Sequence, residues 1–361
     1  MPAYFAYGSN LDREDWARYC ASHGVDPDCM RPIGPALLPD AELAFNYRSE
    51  SRNGGALNLL PRRGQVVHGV LFEASDEAWR LLDIKEGVAA GHYARSERIA
   101  IVRGGRALPV ITYEVRPERI EPFVTPAHGY VDIVARGLSA HGLPRSQLDA
   151  VARGERPAAA VDGVFVYGTL MRGESRFAAI GAHRPRCMLL ANGPGRLHET
   201  SGDYPMMDLE TGDAADIVRG EYMQLAAIDA ALEALDAIED FAGYGDPANE
   251  YLRTLVEIDA GEEQPRLAWT YAASNRRVMG ARIASGSWRQ HLGVHDDFLR
   301  RLVAAHHGGN DLFLQAAAGR HRLTGMPGEP SLAALAQALG AGRISERSLS
   351  LISGRWSALA E

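Results

Sequence analysis

Two glutamates at the ends of apolar, helix-like segments are the residues of this sequence best suited to acid–base chemistry. Glu86 and Glu239 each follow a Leu-Asp pair at the same offset, in a Leu-Asp-x-x-Glu pattern. A single glutamate at a helix end is most often a solvated surface charge. Recurrence at one offset is what is expected if a carboxyl group must reach a fixed point.

Each half of the chain also has a short apolar strand that stops at a tyrosine–glycine turn. The first turn reads Tyr7-Gly8-Ser9-Asn10-Leu11, and the second reads Tyr167-Gly168-Thr169-Leu170. A strand that turns into a helix at such a point presents several backbone N–H groups, which suit a carboxylate or another anion. A glycine that only permits a tight turn is the simpler explanation of either copy alone. The prediction of an anion-binding turn therefore depends on the repetition.

Three further landmarks recur in the same order, so five in all are shared by the two halves. They are a Val-x-Gly strand, a Tyr-x-Arg segment and a Thr-Tyr pair. The first half has Val67-His68-Gly69, Tyr93-Ala94-Arg95 and Thr112-Tyr113, and the second has Val218-Arg219-Gly220, Tyr251-Leu252-Arg253 and Thr270-Tyr271. Repetition at this scale predicts the duplication of one structural unit.

The elements that must position these residues are short strands and helices. Alternating segments such as "RSERIAIV" and "LRTLVEI" predict strands, and "SDEAWRLLDI" and "IDAALEALDAIE" predict helices. Most strands follow one another directly, which favours an α+β fold with a mainly antiparallel or barrel-like sheet. After the first turn, "LDREDWARYCASHG" predicts a helix with Asp12 as its N-cap and Gly24 beyond its end.

The domain organisation follows from the repeat. Residues 152–163, "ARGERPAAAVDG", replace the periodic pattern with charge, proline and small residues and form the predicted linker. We therefore predict a first domain over residues 1–155, a second over 162–290 and a helical C-terminal extension over 291–361. The extension contains three helix-like runs and has no counterpart in the first half.

Composition narrows the class of partner. A net charge of −8 argues against nucleic-acid binding, which needs a clustered basic surface. No apolar run approaches the roughly 18 residues of a membrane-spanning helix, and the N-terminus lacks a signal-peptide pattern. Three cysteines without a C-x-x-C spacing indicate neither a disulfide framework nor a zinc ribbon. We expect a cytoplasmic protein that acts on a small molecule, with no nucleic-acid or membrane partner.

A histidine-based metal site is the alternative for the C-terminal part of the chain. The spacing of these histidines matches no compact zinc pattern, so solvated or helix-capping roles are favoured and no metal is predicted. The residues concerned are His291, His295, His306, His307 and His321.

The motifs resemble a known family in both halves. "YFAYGSNL", "LLDIKEGVAAGHY" and "TPAHGYVDIVARGLSAHGLP" resemble the gamma-glutamyl cyclotransferase family across residues 3–150. "VFVYGTL", "YPMMDL", "LDAIEDF" and "YLRTLVEI" are similar to the branch that includes gamma-glutamylamine cyclotransferases, across residues 164–290. The resemblance implies two tandem barrel domains with flanking helices, each with a cavity that holds one glutamate beside the tyrosine–glycine turn.

The reaction implied by the resemblance cyclises a γ-glutamyl amide, whose α-amine attacks its own γ-carbonyl to release 5-oxoproline and a free amine or amino acid. No cofactor is required, because nucleophile and electrophile belong to one molecule that the protein only has to fold. The resemblance assigns proton transfer to Glu86 and Glu239. The substrate-binding residues that it implies are Tyr7, Gly8, Ser9, Asn10, Leu11, Tyr93 and Tyr130 in the first half, and Tyr167, Gly168, Thr169, Leu170 and Tyr251 in the second.

Several alternatives stay open at this point. Proteins of one fold can hold a ligand or a partner without turnover, so one or both halves can be a non-catalytic module that binds a γ-glutamyl ligand. The second half lacks a counterpart of Asn10 and inserts "FAGYGDPAN" after Glu239, which allows a different substrate or no turnover there. The released amine and the oligomeric state are undetermined. Removal of a γ-glutamyl protecting group in a biosynthetic pathway is one of the roles known in the family.

Overall fold

A computed structural model describes residues 2–202, 204–210, 215–274, 279–292, 313–316 and 319–322. The chain divides into two compact units. The first comprises Met1–Gly163, Leu225–Val256 and Leu267–Trp269, and the second comprises Val164–Gln224, Glu257–Arg266 and Thr270–Glu361. The domain limits expected from the sequence, 1–155 and 162–290, stay a prediction.

Five strands of the first half close into a barrel. They are β1 (Ala3–Ala6), β2 (Met30–Ser49), β3 (Gly54–Ala74), β4 (Tyr93–Ile101) and β5 (Ala107–Val115). The order around the barrel is β1-β3-β2-β4-β5, and β1 closes it by pairing antiparallel with β3 and parallel with β5. The strand β2 alternates between buried and partly exposed positions over part of its length, as expected when one face points into a barrel, whereas β3 is buried at most of its positions. The predicted α+β class with a barrel is confirmed.

Four helices flank this barrel. They are α1 (Arg13–Ser22), α2 (Asp76–Lys85), α3 (His128–Ala140) and α4 (Ser146–Ala152). The predicted N-cap of α1 is confirmed, because the Asp12 side chain accepts a 2.7 Å hydrogen bond from the Asp15 N–H. The Ser75 hydroxyl caps α2 in the same way through the Ala78 N–H. The starts of α1 and α2 are therefore each fixed by a side chain that caps the helix.

The strands of the second half repeat the order of the first barrel. Their bounds are β6 (Gly163–Val166), β7 (Cys187–Pro194), β8 (Arg196–Thr200), β9 (Pro205–Asp208), β10 (Ile217–Gln224), β11 (Tyr251–Ile258), β12 (Arg266–Ala273) and β13 (Met279–Arg282). One sheet runs β11-β12-β6-β10-β7, and Asn192 of β7 forms an antiparallel bridge with Asp259, directly after β11. A second sheet runs β13-β8-β9. Helices α5 (Phe177–Gly181), α6 (Ile228–Ile238) and α7 (Trp288–His291) complete this half.

The C-terminal part is described only in two short strands. β14 (Phe313–Ala316) and β15 (Gly319–Arg322) form an antiparallel hairpin. The three helix-like runs predicted for the extension lie outside the described residues. In the described part of the chain, no helix combines the length and the apolar character that crossing a bilayer requires.

The glycine of each Val-x-Gly motif lies directly against the opening strand of its half. A Cβ on Gly69 would lie 2.4 Å from the Ala6 carbonyl oxygen, and a Cβ on Gly220 would lie 2.3 Å from that of Val166. Such distances are too short for any side chain. Each glycine therefore lets its strand approach the strand that leads into the tyrosine–glycine turn.

Candidate active site

The Glu86 carboxyl group stands at the point where α2 ends. Glu86 is the C-cap of this helix, and its N–H donates to the Leu82 carbonyl at 2.8 Å. The first turn forms a 3₁₀ segment over Ser9–Leu11, closed by the Leu11 N–H on the Gly8 carbonyl at 3.1 Å. The tyrosine–glycine turn and the Leu-Asp-x-x-Glu motif of the first half meet at this point.

Asn10 joins the turn to the glutamate. Its Nδ2 donates to Glu86 Oε1 at 2.8 Å and to the Tyr4 hydroxyl at 2.8 Å. Its Oδ1 accepts from Lys85 Nζ, also at 2.8 Å. Both amide protons and the amide oxygen are thus used, and Asn10 is only 5% exposed.

An ionic cluster lies next to this junction. Asp15 of α1 accepts from Lys85 at 2.9 Å and from two nitrogens of Arg52 at 2.9 and 3.2 Å. Arg52 also reaches the Ser9 hydroxyl at 3.4 Å. Burial disfavours the Asp15 carboxylate, but the hydrogen bonds and charges of Arg52 and Lys85 outweigh it and lower the pKa of Asp15 to about 2.

The protonation of Glu86 responds to opposing influences. Burial raises the pKa of Glu86 above its ordinary value, while the Lys85 charge, the Asn10 hydrogen bond and the Arg52 charge act against the rise. Burial also lowers the pKa of Lys85, in spite of Asp15 and Glu86 nearby. A carboxyl group with a raised pKa is suited to accepting and returning a proton.

Tyr7, Tyr93 and Tyr130, the tyrosines predicted to bind substrate in the first half, are buried. Two of their hydroxyls donate hydrogen bonds to backbone carbonyls of the barrel. Tyr7 donates to the Tyr113 carbonyl at 2.7 Å, and Tyr93 donates to the Leu57 carbonyl at 2.8 Å. Tyr130 lies under the Arg52 guanidinium, whose central carbon is 5.4 Å from the ring centre. The Tyr130 hydroxyl also lies 3.5 Å from the place where a Cβ on Gly8 would stand. Tyr130 is therefore the tyrosine whose hydroxyl is nearest to the turn glycine.

Leu11 has a packing role in the turn. It is 1% exposed, and a Cβ on Gly137 of α3 would come within 2.6 Å of its side chain. Gly137 therefore lets α3 pack closely against the turn.

The remaining landmarks form one linked set of contacts. The Asp83 carboxylate accepts from Arg95 Nε and Nη2 at 2.8 and 2.9 Å and from the Tyr113 hydroxyl at 2.7 Å. In the second half, Arg253 donates to Asp236 at 2.6 Å. The aspartate of Leu-Asp-x-x-Glu and the arginine of Tyr-x-Arg are thus ionic partners in both halves. The sequence contained this pairing as a repeated pattern, but the pattern alone did not give its role.

The Thr-Tyr landmarks bind the opening strands in both halves. The Thr112 hydroxyl donates to the Phe5 carbonyl at 2.9 Å, and the Thr270 hydroxyl donates to the Phe165 carbonyl at 3.0 Å. The Tyr167 hydroxyl donates to the Tyr271 carbonyl at 2.5 Å, as Tyr7 does to Tyr113. Matching bonds at matching positions support the duplication in three dimensions.

The second turn has a different environment from the first. Tyr167 and Leu170 are buried, and a Cβ on Gly168 would lie 2.6 Å from the Pro205 ring. The Thr169 carbonyl accepts from the Arg176 N–H at 2.9 Å. Gly168 is thus required by packing, whereas the space at Gly8 admits a Cβ.

Glu239 ends α6 as Glu86 ends α2. It is 8% exposed and donates its N–H to the Leu235 carbonyl at 2.9 Å. Glu239 and the buried Tyr251 belong to the first compact unit, while the Tyr167 turn belongs to the second. A second site built from these residues stays a prediction.

Four residues around Glu86 were missed by sequence reasoning. Tyr4 stands inside the apolar opening strand, Asp15 lies in the predicted helix after the first turn, and Arg52 comes from a segment without a motif. Lys85 directly precedes Glu86, but a lysine at a helix end is ordinarily solvated and stabilises the helix dipole. Here its side chain is only 8% exposed.

Metal binding finds no support in the described part of the chain, where no group of three His, Cys, Asp or Glu side chains has a suitable arrangement. His291 lies 3.5 Å from the Glu199 carboxylate. His321 falls in β15, and His295, His306 and His307 lie outside the described residues.

Comparisons with known proteins match each half separately. The family described as "Gamma-glutamyl cyclotransferase, AIG2-like" matches residues 164–290, and the "AIG2-like family" matches residues 66–150. The search of curated proteins gave no match.

Two solved structures illustrate the likeness. A structure titled "Gamma-glutamyl cyclotransferase" is 25% identical, with a TM-score of 0.37, over 43% of this chain and 88% of its own. YkqA from Bacillus subtilis is 27% identical, with a TM-score of 0.36, over 42% of this chain and 53% of its own.

Proposed function

The chain is a tandem protein of the gamma-glutamyl cyclotransferase-like superfamily, and we propose that its first half cyclises a γ-glutamyl amide to 5-oxoproline with Glu86 as the proton-transfer residue. The observation that supports this most directly is the 2.8 Å bond between Asn10 Nδ2 and Glu86 Oε1. It holds a carboxyl group of raised pKa beside the turn that can receive the substrate's anionic groups.

The reaction follows from the state of this carboxyl group. Ionised Glu86 removes a proton from the substrate's α-ammonium group, and the free amine attacks the γ-carbonyl carbon to form the ring C–N bond. Glu86 then gives its proton to the leaving nitrogen, whose bond to the γ-carbon breaks. The ionised Glu86 next takes the second proton from the ring nitrogen and passes it to the released amine, which becomes an ammonium ion. The products are 5-oxoproline and a free amine or amino acid, and Glu86 returns to its ionised state.

The turn supplies the anchoring groups in this proposal. Ser9 and Asn10 begin the 3₁₀ segment, so their N–H groups have no carbonyl partner within the segment itself. Backbone donors of this kind, aimed at a developing oxyanion, contribute about 3 kcal/mol each in enzymes. The Tyr130 hydroxyl lies 3.5 Å from the place where a Cβ on Gly8 would stand, and the Arg52 guanidinium lies over the Tyr130 ring.

For the second half we propose a different role, either turnover of another γ-glutamyl compound or binding without turnover. The observation that favours a difference is the Pro205 ring against Gly168, since Gly8 meets no such side chain. Glu239 and Tyr251, with Tyr167, Gly168, Thr169 and Leu170, remain the proposed site residues there. Glu239 is retained, so cyclisation is the first activity to test.

A panel of γ-glutamyl amides tests these proposals. Purified full-length protein is incubated with γ-glutamyl amino acids, γ-glutamyl alkylamines and a large polar γ-glutamyl amide of the protecting-group type, and 5-oxoproline is quantified. We expect Glu86→Gln to abolish release from the first-half substrate. Unchanged release of 5-oxoproline by the double variant Glu86→Gln, Glu239→Gln would reject the assignment of both glutamates. The activity that remains in each single variant shows which half acts on which substrate.

Glu118→Gln is the matched control, because Glu118 is an exposed glutamate in the 3₁₀ segment after β5. This variant makes the same chemical change away from the site. We expect it to release 5-oxoproline at the wild-type rate.

A further inference from the structure

Two polar residues of the first-half site are absent together from the second half. In the aligned turns, Leu170 stands where the first half has Asn10. In the aligned Leu-Asp-x-x-Glu motifs, Ile238 stands where the first half has Lys85. The two residues contact each other in the first half, and both are replaced by apolar residues in the second.

The contact between them determines which way the Asn10 amide faces. A lysine ammonium group only donates hydrogen bonds, so the Asn10 atom that faces Lys85 Nζ must be the amide oxygen. The NH₂ group then faces the opposite side and donates to Glu86 Oε1 and to the Tyr4 hydroxyl. Without the ammonium group, only an ionised Glu86, which accepts and does not donate, still distinguishes the two orientations of the amide.

Lys85 is itself held firmly. Its ammonium group donates to Asp15 at 2.9 Å, and it lies 5.7 Å from the Trp16 ring and 5.3 Å from the Tyr19 ring. With 8% of its side chain exposed, it is not a solvated lysine that happens to be nearby. The charge is therefore a fixed part of the site.

We propose that Lys85 is a positioning residue of the first-half site, which orients the Asn10 amide so that one Glu86 oxygen is held and the other faces the substrate amine. In the opposite orientation, the Asn10 oxygen would face the Glu86 carboxylate, and the two acceptors would repel each other. This inference rests on the function proposed above, and it adds a residue that neither motif nor family match assigns.

The charge of Lys85 also acts on the protonation of Glu86. Among the groups that favour the Glu86 carboxylate, Lys85 has the largest effect, and it opposes the rise in pKa that burial causes. The other titratable or charged groups that face Glu86 are Tyr4, Tyr7, Asp15, Tyr19, Tyr47, Arg52, Tyr93 and Tyr130. Removal of Lys85 leaves Arg52 as the only cation of this set, so the Glu86 pKa rises further.

The first test compares Lys85→Met with the wild-type full-length protein. The measurement is kcat/KM for 5-oxoproline release from γ-glutamyl-alanine as a function of pH. Because ionised Glu86 is needed, we expect the acidic limb of the profile to move to higher pH by about one unit, with most of the high-pH plateau retained. An equal loss at every pH would indicate general damage and overturn the proposal.

Two further variants sharpen this comparison. Lys85→Arg keeps a cation that donates to Asn10, so its acidic limb should return toward the wild-type position. Arg145→Met removes a cation from an exposed pair with Asp149 on α4, and its profile should match the wild type. A shifted limb in Arg145→Met would mean that net charge alone explains the effect.

A second measurement does not depend on turnover. The Glu86 carboxyl is titrated by ¹³C NMR in glutamate-labelled protein, with Glu86→Gln to assign its signal. We expect a pKa about one unit higher in Lys85→Met, and an unchanged titration would overturn the proposal. If Lys85→Met does not fold, Lys85→Gln undergoes the same titration. Absence of 5-oxoproline from the wild type would reject the proposed function, while this titration still decides the role of Lys85.

Discussion

The Asp83 carboxylate and the Arg95 guanidinium form a two-point ion pair, with both nitrogen–oxygen distances below 3 Å at 2.8 and 2.9 Å. Asp83 lies on the last turn of α2 and Arg95 lies on β4, so the pair ties the helix end to the barrel wall. Glu86 follows at the end of the same turn. Asp236 and Arg253 form the corresponding pair in the second half, through one contact of 2.6 Å between Arg253 Nη1 and Asp236 Oδ2.

Loss of this pair should weaken both stability and turnover. Asp83→Ala removes a half-exposed ion pair and leaves the buried Tyr113 hydroxyl without its acceptor. We expect a loss of roughly 2 kcal/mol in the free energy of unfolding, measured by urea denaturation, and a reduced kcat for 5-oxoproline release.

The control for Asp83→Ala is Arg98→Met, which breaks a two-point pair between Arg98 of β4 and Glu114 of β5 that includes no residue of α2. It should leave kcat unchanged. An equal loss of kcat in Arg98→Met would show that the Asp83 effect is not specific to the helix that carries Glu86.

The Val-x-Gly glycines give a prediction for stability alone. Gly69→Ala would place a Cβ 2.4 Å from a backbone oxygen of β1, an atom that cannot move aside. We expect a loss of about 3 kcal/mol in the free energy of unfolding. Gly129→Ala in α3 is the control, because nothing lies within 4 Å of the added Cβ, and a helical alanine should be neutral or stabilising by up to about 1 kcal/mol.

Much of this arrangement was predictable from the sequence, because the repeat itself marked the residues. The order of the predicted strands favoured the α+β, barrel-like fold, the family resemblance placed Glu86 beside the turn, and Asp12 gave the start of α1. The cluster of Arg52, Asp15 and Lys85 was not predictable, since it joins a hairpin connection and two helices through tertiary contacts. Tyr7 and Tyr93 stay predicted substrate-binding residues, and in the structure their hydroxyls donate to backbone carbonyls of the barrel.

The raised pKa of Glu86 predicts a pH-dependent cost to stability. Because burial raises the folded-state pKa above that of the unfolded chain, the folded state holds a proton that the unfolded state has released once the pH exceeds about 4.3. Stability therefore falls as the pH rises from that point through the folded-state pKa. Glu86→Gln removes the penalty and should raise the Tm at neutral pH.

This gain in Tm should disappear in acid, where Glu86 is protonated in both states. Thermal unfolding at pH values on either side of the unfolded-state pKa is the measurement. An equal Tm for Glu86→Gln and wild type at neutral pH would contradict the prediction. Glu118→Gln, at an exposed position, should change the Tm little at either pH.

The two turn glycines should respond to alanine in opposite ways. At Gly8, an added Cβ meets only the Tyr130 hydroxyl at 3.5 Å, an ordinary contact, so Gly8→Ala should fold with a Tm close to the wild type. At Gly168, the Cβ would come within 2.6 Å of the Pro205 ring, so Gly168→Ala should lower the free energy of unfolding by about 1–3 kcal/mol.

The effect on activity should be the opposite, with a change in Gly8→Ala and none in Gly168→Ala. If the substrate approaches the backbone at Gly8, the added methyl group occupies part of its space, and KM for the first-half substrate should rise by about tenfold or more. Gly168→Ala should leave that KM unchanged wherever the protein remains folded. Unaltered kinetics in Gly8→Ala would mean that this glycine serves only the turn, and that the substrate is anchored elsewhere around Glu86.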